Sequence, residues 1–371
     1  MKYLFCSILM FLNLCGEAKG EKRFYTKIVF PASIKLEDIN IQYHNGFQLI
    51  PFTISSKSHT IDISDVYYTK YVQLIINYNR KGSKNSSSSY FLERISEVDY
   101  IMNPDENLYS TKLLGAYNIK DMGEDKFYLF ANKEIELLDK FITINGQNLD
   151  DSLLFRKYVE LDAAVQGKKL EFIQNHSDLY YSLWTFREQF VSNTNYKIDS
   201  LYTVYKKYFS KKYFKTFEAK QIVSILNGRS NSFVGKPAPL FSAKDIYGNS
   251  IKLSELKSKN YIILNFWASW CIPCMEEMPI LDSIYNLFSK KNIVIISESQ
   301  DRNKEKCLRA IEKYHMSWIN IINDPFVYSA YGNNPGLPQV YLIDKRGVII
   351  YSRSQEKDYE LKKLFSMVKE L

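Results

Sequence analysis

The 371-residue sequence predicts an α/β domain over residues 231–371, preceded by a β-rich domain over 21–148 and a helical segment over 149–230. Three observations carry that division. Tyr261–Trp267 (YIILNFW) is an apolar run with Asn265 as its one polar residue, followed by a helical repeat, as in a buried parallel strand that leads into a crossover helix. Short runs enriched in β-branched and aromatic residues fill 24–145. Between the two, apolar residues recur at three- and four-residue spacing.

Composition bounds the function classes. Apolar residues make up 46% and charged residues 24%, ordinary values for a globular chain of two or three domains. Five cysteines exclude a disulfide-stapled scaffold. The net charge of +8, from 49 basic and 41 acidic residues, is mild over this length and argues for neither a nucleic-acid partner nor a membrane surface. Glycine (14) and proline (10) are scarce while tyrosine (29) and phenylalanine (23) are abundant, so the cores are expected to be aromatic.

Residues 1–20 (MKYLFCSILMFLNLCGEAKG) read as a secretory signal peptide. Lys2 gives a positive start, Tyr3–Cys15 is an apolar run too short to span a bilayer, and Ala18-Lys19-Gly20 offers a small-residue cleavage site. Lipid attachment at Cys15 is the less favoured alternative, because Leu14 stands where a small residue is wanted. The mature chain is therefore expected outside the cytoplasm, in the periplasm or cell envelope, where disulfides form.

In the β-rich part the expected strands are FYTKIVF, FQLIPFTI, HTIDISDVY, YVQLIINYN and SSYFLERI. Lys81–Ser89 reads as a solvated hairpin connection. In the helical segment Leu153, Leu154, Tyr158, Leu161 and Val165 share a period, as do Leu179, Leu183, Phe186 and Phe190. Leu201, Tyr205, Tyr208 and Phe209 follow, interleaved with lysines, and are read as core rather than as a nucleic-acid surface. Gly228, Gly235, Pro237 and Pro239 are expected to break the helix and mark a boundary.

The chemistry lies in the last third. After the strand comes Trp270-Cys271-Ile272-Pro273-Cys274, then a helix with Met278, Leu281, Ile284, Tyr285 and Phe288 on one face. A helix N-terminus carries partial positive charge and free N–H groups, which favour a thiolate. Two intervening residues let both sulfurs meet within one turn. A zinc site would need further ligands, and Cys307, His44, His59, His176 and His315 are scattered, so no metal is expected.

Asn265-Phe266-Trp267-Ala268-Ser269-Trp270-Cys271-Ile272-Pro273-Cys274 resembles the active-site segment of the thioredoxin superfamily, in particular of exported TlpA/ResA-type thiol–disulfide oxidoreductases. Val234–Phe241, Asp245 with Gly248-Asn249, Leu253–Leu256, and Gly336–Asp344 with Gly347 extend the resemblance over 234–371. It implies a central mixed sheet flanked by helices, and the stretch Asn175–Leu183 is similar to the segment preceding this domain in longer members.

The resemblance also implies roles. Cys271 would be the attacking thiolate and Cys274 the resolving thiol. Trp270 would lie over the sulfurs as part of a lid, or simply pack at the surface. Pro338 would be a cis-proline, exposing the backbone of Leu337 for pairing with a substrate strand. Glu277 would accept a proton near the dithiol, or else be a first-turn acid that favours the helix dipole; Glu276 is the alternative carboxylate. Asn265 stands where thioredoxins keep a buried aspartate, so another base is needed. Cys307 reads as a buried bystander. The apolar spacer Ile272 offers a thiolate no help, which favours a reductant over an oxidant. The expected partners are proteins with disulfides, as in cytochrome c maturation or protein repair, and a membrane donor of electrons. No cofactor is expected. The competing readings are a peroxidase, disfavoured because Ala268 stands three residues before Cys271, and a partner-binding envelope protein.

Overall fold

The structure, a computed structural model, describes residues 22–55, 58–78, 86–103, 108–118, 122–193, 195–288, 291–332 and 336–371. The segment expected as a signal peptide, with Cys15, lies outside them, as do residues 81–85 of the expected hairpin connection. No helix among the described residues is long and apolar enough to cross a membrane. The described residues divide into two compact units, one holding 191–202 and 221–371, the other 22–190 together with 203–220.

The N-terminal unit is built on a seven-stranded sheet of β1 (Arg23–Val29), β2 (Ile39–His44), β3 (Leu49–Phe52), β4 (Thr60–Val66), β5 (Val72–Tyr78), β6 (Ser86–Asn103) and β7 (Leu108–Asn118). The order is β3-β2-β5-β6-β1-β4, with β7 also on β6. Every pairing is antiparallel except β1 with β6. In β5, Val72, Leu74, Ile76 and Tyr78 are buried and the residues between them are half-buried, the alternation of a sheet with one face on a core.

Two expectations are corrected here. Ser86 and Ser87, read as loop ahead of the expected strand SSYFLERI, begin β6. Helices already occupy α1 (Glu124–Phe130) and α2 (Asn132–Asn145), inside the stretch read as β-rich to 148. Both helices lack a side-chain N-cap, the signal that would have announced them. The next helix, α3 (Ser152–Asn175), has one: Asp151 accepts from the N–H groups of Leu153 and Leu154. Its apolar stripe is exposed at Leu153 and buried by Val165. Helix α4 (Tyr180–Thr185) runs into a π-helical stretch, Phe186–Val191, where Phe186 and Phe190 are buried. Farther on come α5 (Ile198–Val204), a second π-helical stretch at Tyr205–Phe209, and α6 (Ser210–Tyr213).

Helix α7 (Phe217–Asn231) corrects a third expectation: Gly228 lies within it instead of breaking it. A Cβ at Gly228 would sit 2.4 Å from the Ala330 carbonyl oxygen and 2.4 Å from the Gly332 nitrogen, so the glycine permits a close backbone approach. The compact C-terminal unit accordingly starts before residue 231.

The strands of that unit begin with the hairpin β8 (Ser242–Lys244) and β9 (Ser250–Lys252), and α8 (Leu253–Leu256) follows. The Asp245 side chain accepts from the N–H groups of Tyr247 and Asn249, closing the hairpin turn. A five-stranded sheet follows, in the order β12 (Ile319–Ile322), β11 (Ile293–Ser299), β10 (Tyr261–Trp267), β13 (Gln339–Ile343), β14 (Ile349–Ser352). The first three strands run parallel and β13 runs antiparallel to both β10 and β14, so the sheet is mixed. On one face α9 (Ile272–Phe288), α10 (Lys304–Lys313) and α13 (Lys362–Glu370) pack through Met278, Leu281, Ala310, Leu364 and Val368. The other face packs against α11 (Pro325–Ala330) and the β8–β9 hairpin through Phe266, Ile296, Val327 and Ala243. Helix α12 (Arg353–Glu356) follows β14 directly.

Candidate active site

Strand β10 and helix α9 position the cysteines. Every residue from Ile262 to Trp267 is buried, which fixes where the strand ends, and the chain turns into α9 within a few residues. Cys271 and Cys274 form a disulfide with an S–S distance of 2.02 Å and a Cα–Cα distance of 5.2 Å. The Cys274 backbone N–H points at Cys271 Sγ, 3.3 Å away. In the reduced state that donor, with the positive end of the helix behind it, favours a thiolate on Cys271. Cys271 is 6% exposed and Cys274 1%, so the two differ in access by degree only. Trp270 and Ile272 beside them are largely exposed, at 66% and 73%, and form an apolar rim.

The loop between β10 and α9 is clamped from β11. Asp301, just past that strand and buried, accepts from the Ser269 N–H (2.7 Å), the Ser269 hydroxyl (2.6 Å) and the Ser299 hydroxyl (2.7 Å). Charge-assisted bonds of this length are strong ones. Neither Asp301 nor its partnership with Ser269 was visible in the sequence, because the two stand 32 residues apart.

Pro338 follows a cis peptide bond from Leu337. The register of β13 on β10 pairs Gln339 with Phe266, which brings this loop beside the end of β10 from which the cysteine segment departs. Leu337 packs against the apolar cluster that holds Cys271 and Cys274.

Glu277 lies one turn after Cys274 on α9 and is buried, whereas Glu276 points outward. Glu277 sits beyond the first turn of the helix, which disposes of the dipole reading. Its Oε1 accepts from Arg353 Nε at 2.6 Å and lies 2.6 Å from a terminal guanidinium nitrogen. Its Oε2 is buried without a hydrogen-bond partner among the described residues. Burial pushes the Glu277 carboxyl up to about 7, against the downward pull of Arg353. Asn265 is buried and donates to the Ser297 hydroxyl, which also takes the indole N–H of Trp318. It is an amide in a neutral network and brings no carboxylate beneath the cysteines.

Cys307 is a free, buried thiol in the same apolar cluster as the disulfide, and burial pushes it up to about 12. A thiol so rarely ionised is a poor nucleophile. Three of the four histidines are occupied locally: His44 lies 3.3 Å from Glu188, His59 bonds the Ile34 carbonyl and the His176 ring sits tilted against Phe172, while His315 is exposed. Among the described residues no three His, Cys, Asp or Glu side chains gather in a way that could hold a metal ion.

Comparison with known proteins places this geometry. The AhpC/TSA family pattern matches residues 234–352. Thiol-disulfide oxidoreductase ResA of Bacillus thuringiensis (strain Al Hakam) is 34% identical over 118 residues, 32% of this chain and 67% of that protein. ResA of Bacillus cereus (strain ATCC 10987 / NRS 248) is 33% identical over 128 residues, 34% of this chain and 73% of that protein. The solved thioredoxin domain of a thiol-disulfide oxidoreductase from Bacteroides vulgatus is 29% identical, covers 34% of this chain and 98% of its own, and has a TM-score of 0.30. Through its C-terminal α/β unit the chain belongs to the ResA-type thiol–disulfide oxidoreductases of the thioredoxin superfamily.

Proposed function

We propose that this chain is an exported reductant of protein disulfides that works through Cys271 and Cys274. The observation that carries the reading is the Cys274 N–H aimed at Cys271 Sγ at the start of α9, which selects Cys271 as the stabilised thiolate. In the first step Cys271 thiolate attacks one sulfur of a client disulfide, forming a mixed disulfide and releasing one client thiolate. In the second, the Cys274 thiol gives its proton to Glu277, attacks Cys271 Sγ and releases the second client thiolate. The two client thiolates take up protons. Two electrons pass from the dithiol to the client, leaving Cys271–Cys274 oxidised.

Leu337 and the cis-Pro338, just before β13, offer backbone groups to the client strand, and Trp270 with Ile272 an apolar rim for its side chains. The apolar run Tyr3–Cys15 supports export. A reductant outside the cytoplasm needs electrons from a membrane partner, and cytochrome c maturation is one process that consumes such electrons. The test is turnover of insulin disulfides with dithiothreitol as donor. Wild type is expected to accelerate reduction and the Cys271→Ser variant is not. Faster consumption of hydrogen peroxide than of insulin disulfides would reject the reading in favour of a peroxidase.

A further inference from the structure

We propose that Arg353 is a positioning residue that engages one oxygen of Glu277 and so presents Oε2 as the single site through which protons reach and leave the Cys271–Cys274 pair. The inference rests on Glu277 being the proton acceptor of that pair.

Three observations support it. Two guanidinium nitrogens converge on the same oxygen, Oε1, at 2.6 Å each, while Oε2 is buried and without a hydrogen-bond partner among the described residues. A carboxyl with both oxygens engaged by cations would be held ionised, and one with neither engaged would be held neutral by burial. Engagement of one oxygen leaves the other able to take a proton and give it back.

Arg353 is itself held in place. It is 8% exposed, and both its neighbours are tied to Gln339, the residue after the cis-proline. Gln339 Nε2 donates to the Ser352 hydroxyl (3.1 Å) and the Ser354 hydroxyl (3.0 Å), and the Ser354 N–H donates to Gln339 Oε1 (3.1 Å). The guanidinium carbon lies 5.3 Å from the centre of the Tyr359 ring. One arginine thus links the cis-proline strand to the carboxyl below the cysteines. Arginine suits the task because its donors are fixed in a plane, which a lysine ammonium cannot reproduce.

The other charged or titratable groups that act on Glu277 are Glu276 on its own helix and, from the C-terminal segment, Asp358 and Tyr351. The cysteine pair stands one turn away. Asp358 accepts from the N–H groups of Lys362, Lys363 and Leu364 and from the Tyr351 hydroxyl. The Glu277 carboxyl, raised by burial and lowered by Arg353 to about 7, fits an oxygen poised between its two states.

The experiment is the rate of insulin-disulfide reduction by the full chain from about pH 5 to about pH 9, in wild type, Arg353→Gln, Arg353→Lys and Glu277→Gln. Wild type is expected to speed up through a break near 7, as Glu277 ionises. Arg353→Gln should move the break upward by at least about one pH unit, and Arg353→Lys should move it less, since it keeps the charge. Glu277→Gln should remove the break. If Glu277→Gln removes it and Arg353→Gln leaves it in place, Arg353 has no such role. If Glu277→Gln leaves it in place, the reading of Glu277 fails first and the Arg353 inference falls with it. Should Arg353→Gln not fold, Gln339→Ala loosens the anchoring of Arg353 without touching its charge. An upward move of the break there supports the proposal and an unmoved break overturns it.

Discussion

In β5 of the N-terminal sheet, buried residues alternate with half-buried ones from Val72 to Tyr78, whereas in β10 of the C-terminal sheet every residue from Ile262 to Trp267 is buried. The first pattern belongs to a strand with one packed face, the second to a central strand covered on both. The difference has a chemical consequence. A strand buried on both faces leaves only its ends free, so the functional groups gather where β10 stops and α9 begins. There the backbone is held by Ser269 on Asp301, by the Cys274 N–H on Cys271, and by the cis-proline strand alongside. The N-terminal sheet has no comparable convergence of reactive groups among the described residues, and its buried histidine, His44, is taken up by Glu188.

The contrast can be broken most forcefully at the sulfurs. Cys271→Ser is expected to lower the rate of insulin-disulfide reduction by at least about a thousandfold, while the circular dichroism of the chain stays that of the wild type. A smaller loss would mean that another thiol carries the exchange. An alanine scan comes next in size. Ile263→Ala and Leu264→Ala, at consecutive positions of β10, should each cost about 2–5 kcal/mol in chemical denaturation. On β5 only alternate positions should behave that way: Leu74→Ala about 2–5 kcal/mol and Ile75→Ala below about 1 kcal/mol. A large cost at Ile75 would show that the helices that cover Phe91 of the neighbouring β6 cover this position of β5 as well.

Ser269→Ala removes one of three donors to a buried carboxylate and should cost about 1.5–3 kcal/mol, with slower reduction at unchanged client affinity. Loss of stability with no change in rate would make the Asp301 clamp purely architectural. The smallest expected effect is at Trp270. Its side chain is mostly exposed, so Trp270→Ala should change stability by less than about 0.5 kcal/mol. It should nevertheless raise the KM for protein clients more than for a small disulfide.

How much of this was legible in the sequence follows from range. Residues that act through their neighbours could be read directly: the apolar run of β10, the cysteine spacing, the helix face Met278–Phe288, and the segment Gly336-Leu337-Pro338. The alternating strands of the N-terminal unit were also legible, although β2 (INIQYH) was passed over because Asn and Gln interrupt its apolar residues. Helices α1 and α2 were hidden by the absence of caps and by β-branched Ile142, Thr143 and Ile144 near the end of the second. Partnerships across long separations were invisible. Glu277 and Arg353 are 76 residues apart, and nothing local to Ser352-Arg353-Ser354 marks that arginine as the one that reaches a buried carboxylate. Gln339 lies within Gly336–Asp344 with nothing local to mark it, yet its side chain holds both neighbours of Arg353.

The most direct test of the exchange chemistry is capture of its intermediate. The Cys274→Ala variant, reduced and mixed with a peptide containing a disulfide, is expected to accumulate a mixed disulfide that tryptic mass spectrometry assigns to Cys271. A peptide adduct found on Cys307, or no adduct on Cys271 while the variant still reduces the peptide, would contradict it.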